Sequence, residues 1–170
     1  FWSGTGQNLA FFKKDFETIG GFEKVKDRIS GDDMYLVQSI SKLKPAILHI
    51  DPNSFVKTSA MKSVNDFFNQ RIRWSSNAKL TLGNEPLFFG FLFTTMSLNL
   101  LIIGSLLIGN AWVGLMTIKV VFDGLAIFLG SKLFNRTMDL PAYCLWAILQ
   151  PLYIPFVGFL GIRGKFTWKS

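Results

Sequence analysis

An α/β domain followed by about three transmembrane helices is the fold class this sequence predicts, and three observations predict it. Short apolar runs and helix-period segments alternate over the first half of the chain, the order expected of an α/β domain. Most of the charge lies in residues 1–86, and residues 87–162 carry almost none. The apolar stretches 87–109, 111–130 and 140–162 are long enough to cross about 30 Å of hydrocarbon. Two domains follow: a water-soluble part over 1–86, ending at Glu85-Pro86, and a transmembrane region over 87–170.

In chain order, Leu-Ala-Phe-Phe-Lys at 9–13 follows Gly4-Thr5-Gly6 and reads as a strand. Residues 14–20 suit a helix that Gly20-Gly21 ends. Over 32–43, Leu36, Val37, Ile40 and Leu43 recur at the helix period, with Asp32 as N-cap and Pro45 beyond the end. Ala-Ile-Leu-His-Ile at 46–50 suits a buried strand stopped at Asp51-Pro52. His49 has no Cys, Asp or Glu at ligand spacing and reads as structural. The helix predicted over 61–78 is amphipathic, aromatic and basic, and is expected to lie at the membrane interface. Val64, Phe67, Phe68, Ile72 and Ser75 share one face; Gln70, Arg73 and Trp74 share another. Arg71, at the edge of the apolar face, is placed to snorkel to lipid phosphate.

Lys119 and Asp123 stand four apart within the second span, on one face, and each costs about 2.5–3.5 kcal/mol if it faces lipid. They read first as a neutralising pair facing other helices, and second as the polar lining of a glycan path. Gln150-Pro151 and Pro155 interrupt the third span. With the first part in the cytosol, three crossings put the tail outside, although Arg163, Lys165 and Lys169 favour the cytosol. We expect a kinked third crossing, with Phe166 and Trp168 holding the tail at the outer interface; a re-entrant third segment is the alternative.

The net charge of +7 is spread out, and no Lys/Arg block suggests nucleic acid as a partner. The single cysteine, Cys144, excludes an internal disulfide and a cysteine metal cluster. The start at Phe1, inside what reads as a strand-turn unit, leads us to expect a fragment whose catalytic domain begins upstream.

Two motifs carry chemistry. Ser30-Gly31-Asp32-Asp33 opens a helix. Taken alone it reads first as a cap, although a carboxylate at such a junction could also take a proton from a hydroxyl nucleophile. In Gln70-Arg71-Ile72-Arg73-Trp74 the arginines suit a diphosphate and the indole suits a sugar ring. A solvated helix with an interfacial Trp anchor fits that segment equally well. Gly4-Thr5-Gly6 is too short to be a phosphate loop by itself.

Together the motifs are more specific. With Ser3-Gly4-Thr5-Gly6-Gln7-Asn8-Leu9-Ala10-Phe11 and Gly20-Gly21-Phe22 before them and spans after them, the chain resembles the membrane-bound family 2 glycosyltransferases. These include cellulose, chitin and hyaluronan synthases; residues 149–152 and the ending Gly164-Lys165-Phe166-Thr167-Trp168-Lys169 resemble a bacterial branch. The resemblance implies the C-terminal half of a GT-A nucleotide-sugar-binding domain in 1–86. It implies inverting transfer from a nucleotide-sugar donor to a lipid or growing glycan acceptor, next to membrane lipids. The catalytic part would face the cytosol at a bacterial inner membrane. Asp33 would be the catalytic base with Asp32 beside it, Gln70 and Arg73 would hold the donor diphosphate, and Trp74 would stack on the acceptor. Ser3, Gly4, Thr5 and Gly6 would border the acceptor. A divalent cation, Mg or Mn, would have its ligands upstream of Phe1, so that this chain alone is expected to be inactive. A non-enzymatic membrane protein, such as a transporter subunit with a cytosolic cap, is the alternative from another class.

Overall fold

The computed structural model describes residues 3–164. Phe1, Trp2 and the tail 165–170, which holds the expected anchors Phe166 and Trp168, lie outside them. The chain divides into two compact units, one up to Val64 and one from Asn65.

The first unit contains α1 (Lys13–Thr18), α2 (Asp32–Ser41) and two short 3-10 turns, Glu23–Val25 and Pro52–Ser54. No strand occurs among the described residues, which overturns the α/β, GT-A reading. The expected strand at 9–13 has no regular structure up to Phe12, and Lys13 opens α1. The expected strand at 46–50 has no regular structure either. An apolar run becomes a strand only when a neighbour takes up its backbone N–H and C=O groups, and no described segment does so here.

α1 ends where Gly20 and Gly21 both adopt positive φ, 81° and 59°. The turn brings Phe16 between Phe11 and Phe22, at centroid distances of 5.5 and 5.0 Å. The Tyr35 hydroxyl of α2 donates to the Ile19 carbonyl at 3.3 Å. Val25, Met34 and Leu36 supply the buried apolar side chains. Asp15 is buried and paired with Lys44 at 2.8 Å.

Among the described residues the second unit is built from five helices, the first of them starting at the boundary: α3 (Val64–Ser76), α4 (Ala78–Asn84), α5 (Pro86–Ser105), α6 (Ala111–Leu133) and α7 (Leu140–Arg163). The last three are long and apolar enough to cross a membrane, so the protein is an integral membrane protein. Pro86 stands in the first turn of α5, where its missing N–H costs nothing. The Asp139 side chain caps α7 by accepting from the Ala142 N–H at 3.0 Å. Pro151 and Pro155 lie inside α7, which runs on as a single helix through both. α5 packs on α4, α6 and α7. α3 lays its apolar face on α7: Phe67 and Phe68 stand 6.0 and 6.4 Å from Tyr153, and Phe68 meets Phe156 edge-on at 5.6 Å.

Lys119 is 5 % exposed, and its ammonium donates to Asp123 on its own helix and to the Gln150 side-chain oxygen on α7. Tyr143 of α7 donates its hydroxyl to the Val120 carbonyl of α6. The polar groups of this apolar helix pair are thereby matched to one another.

Candidate functional site

The acidic pair opens α2, but its two members do different things. Gly31 occupies the N-cap position at φ 92°, in the left-handed region that glycine tolerates. Asp32 is therefore the first residue of the helix and makes no capping hydrogen bond, contrary to its predicted role as N-cap; it is exposed. Asp33 is half-buried and held at both oxygens. Oδ1 accepts from the Met34 N–H at 2.8 Å, and Oδ2 accepts from the Gly6 N–H at 3.1 Å. Each carboxylate oxygen can still accept a further hydrogen bond.

The contact to Gly6 brings the loop Ser3, Gly4, Thr5 and Gly6 to the carboxylate. The loop is closed by the Asn8 N–H donating to the Thr5 carbonyl at 3.3 Å. The Asn8 side chain also donates to the Ser54 carbonyl at 2.8 Å. Gly4 lies against α2 so closely that a Cβ there would stand 2.6 Å from the Val37 Cγ2 methyl. Ser3, Thr5 and Gly6 are exposed, and Gly6 makes the contact to the carboxylate. A carboxylate oriented by backbone N–H groups, with small residues around it, can receive a proton from a bound hydroxyl group.

Gln70, Arg73 and Trp74 lie on α3, in the second unit. Trp74 leaves 47 % of its surface exposed, while Gln70 and Arg73 are half-buried. Arg71 carries a feature the sequence did not expose. Its guanidinium stacks over the ring of Trp74 at 4.6 Å and over that of Phe67 at 5.0 Å. Its Nε is buried without a partner among the described residues. Only the three- and four-residue spacings to Phe67 and Trp74 could have signalled this.

Among the described residues no three His, Cys, Asp or Glu side chains stand together as metal ligands. Asp32 and Asp33 alone do not make a cation site.

Neither the curated proteins nor the solved structures hold a significant match to the chain. The model of one protein family does match, over residues 2–162. It supports glycosyl transfer, with no support for the narrower family 2, cellulose and chitin synthase assignment. A match over nearly the whole length, through the acidic pair, the Arg-Trp helix and the apolar helices alike, places this chain in glycosyl transferase family 21.

Proposed function

We propose that the domain catalyses inverting transfer of a hexose from a nucleotide-sugar to a hydroxyl of a membrane-borne acceptor, a lipid or a growing glycan, at the cytosolic membrane face. Asp33 is the base that takes the acceptor proton as that oxygen attacks the anomeric carbon and the nucleoside diphosphate leaves. Gln70 and Arg73 hold the departing diphosphate through neutral and charge-assisted hydrogen bonds. Trp74 offers its exposed face to the acceptor, and Ser3 to Gly6 border it. Asp32 adds negative charge at the start of α2. The divalent cation implied by the resemblance would be held by groups other than the described ones.

The observation that carries this reading is the fixing of Asp33 by the Gly6 and Met34 N–H groups. It gives one acid of the pair a set orientation and leaves the other free. Asp33→Asn in the active enzyme keeps an oxygen for one of these donors and removes the base. Transfer is expected to fall about 10²–10⁴-fold while nucleotide-sugar binding persists. Retention of more than half the turnover by Asp33→Asn, with Asp32→Asn inactive instead, would reverse the assignment. Arg73→Lys is expected to impair transfer as well, because an ammonium cannot reproduce the planar guanidinium fork.

A further inference from the structure

The end of α7 stands beside the helices that precede the spans. Gly161 lies on Ser75 of α3, where an added Cβ would be 2.6 Å from the Ser75 Cβ. A Cβ on Gly164 would be 3.9 Å from the Lys79 Nζ of α4. α4 joins α5 directly through Glu85, whose N–H donates to the Thr81 carbonyl at 2.8 Å. Lys79 therefore stays near the start of α5. Further along, Met96 in the middle of α5 faces Gly158, its sulfur 3.3 Å from where a Cβ would stand.

These contacts fix the relative direction of α5 and α7. At 1.5 Å per residue, Met96 is about 15 Å from Pro86, and Gly164 is about 9 Å beyond Gly158. If the two helices ran parallel, Gly164 would lie about 24 Å along α5 from Pro86, and α4, about 10 Å long, could not bring Lys79 to it. Antiparallel helices bring Gly164 back toward the first half of α5, where Lys79 can reach it. A chain that leaves one membrane face at α5 and regains it at the end of α7 has made an even number of crossings.

We infer that α5 and α7 are the complete crossings, and that α6 begins and ends at the face where α5 ends, so that α7 returns the chain to the face carrying α3 and α4. The inference does not rest on the glycosyl-transfer reading. α6 begins just after the turn that closes α5, where Leu107 and Ile108 donate to the Gly104 and Ser105 carbonyls. Its middle, Lys119 and Val120, touches the first half of α7 at Gln150 and Tyr143. With the helices antiparallel, Gln150 lies about 12 Å from the level of Met96 toward the end of α5, close to the membrane face. Lys119 and Asp123 are thereby placed away from the bilayer centre, where each would cost about 2.5–3.5 kcal/mol. The face that α7 regains carries Arg71, Arg73, Lys79 and Arg163, and the other carries Lys132 and Arg136. The positive-inside bias thus favours the α3 face as cytosolic.

Single cysteines in a Cys144→Ser background test this in sealed, uniformly oriented membranes with an impermeant maleimide. Lys79→Cys and Arg163→Cys are expected to label from one side. Leu107→Cys and Thr137→Cys are expected to label from the other, appearing only when the membrane is opened if the first pair labels before. Three complete crossings would instead group Lys79 with Thr137 and Leu107 with Arg163, and that grouping overturns the inference. Ile162→Cys reads the same end of α7 as Arg163→Cys, so loss of either variant leaves the test decisive.

Discussion

Ile47 in the first unit and Leu107 in the second leave almost the same share of their surface uncovered, 88 % and 89 %. Leu107 stands in the turn between two apolar helices, at the membrane face, where its side chain can turn toward lipid while the backbone meets water. Ile47 stands in a segment without regular structure, in the unit that carries most of the charge. The same exposure therefore has opposite consequences, because the surrounding solvent differs. The first unit has a small apolar core and is held by specific polar ties: Asp15 to Lys44, Gly6 to Asp33, Asn8 to Ser54. The second is held by helix-on-helix packing, in which Lys119 is matched to Asp123 and Gln150, and Tyr143 to the Val120 carbonyl. Substitutions should separate these two kinds of stabilisation.

The largest expected effect on stability belongs to the Lys119–Asp123 pair. Asp123→Leu leaves a buried ammonium with only Gln150 to accept from it. Breaking a fully buried pair costs about 3–5 kcal/mol; here the Asp123 side chain is 38 % exposed and the amide remains, so the loss should fall near or below the lower figure. Lys119→Met with Asp123→Leu removes both charges and should regain most of it. Thermal unfolding in detergent checks the cycle. Equal losses in the single and double variants would mean that the loss does not come from leaving the Lys119 charge without its carboxylate partner.

Packing at Gly161 comes next. An added Cβ would stand 2.9 Å from the backbone carbonyl carbon of Ser75, so the clash cannot be relieved by turning a side chain. Gly161→Leu should cost about 1–3 kcal/mol and loosen α3 from α7. Gly90, on α5, has open space where its Cβ would be, and Gly90→Ala should change little. Equal melting temperatures for the two variants would remove the argument for docking at Gly161. The same comparison can be made in the first unit with Gly4→Ala, which meets the Val37 methyl. Val37 is stiff at its first torsion, so a loss of about 1 kcal/mol is expected, with rescue by Val37→Ala.

These sites also show how far the sequence could be read. The three apolar helices were legible because length and the absence of charge suffice to define them; α5, α6 and α7 start and stop within a few residues of the predicted spans. The two strands were not. Leu9 to Lys13 and Ala46 to Ile50 are short apolar runs whose period fits either state, and a strand depends on a partner that a local pattern does not contain. The acidic pair and the Arg-Trp helix were visible as residue types at telling spacings. That Gly6 would hold Asp33, across twenty-seven positions of chain, could not be seen, because nothing local encodes it. The pressing of Gly161 onto Ser75 was hidden for the same reason.

Arg71 gives the smallest expected effect and the sharpest distinction between the two kinds of stabilisation. Its sequence position predicted a side chain reaching for lipid phosphate, a polar tie. The structure instead lays its guanidinium on two rings, Trp74 at 4.6 Å and Phe67 at 5.0 Å, as a packing element. Trp74 is half exposed, so each stacking contact should be worth about 0.5–1 kcal/mol, or roughly a two- to fivefold change in an equilibrium constant. If the stack sets the attitude of the indole toward the acceptor, Arg71→Met should raise the acceptor KM by about that factor while kcat and the donor KM stay close to wild type. Arg71→Lys should fall between the two, because a compact ammonium keeps the charge and loses the flat contact. A phosphate-seeking arginine would behave differently: Arg71→Lys would retain most of the function, and the defect of Arg71→Met would grow as anionic lipid is added to neutral bilayers. Acceptor KM values for both variants, measured in neutral and in anionic nanodiscs, separate the two. A defect independent of lipid charge supports the stack, and one that tracks lipid charge returns Arg71 to the membrane surface.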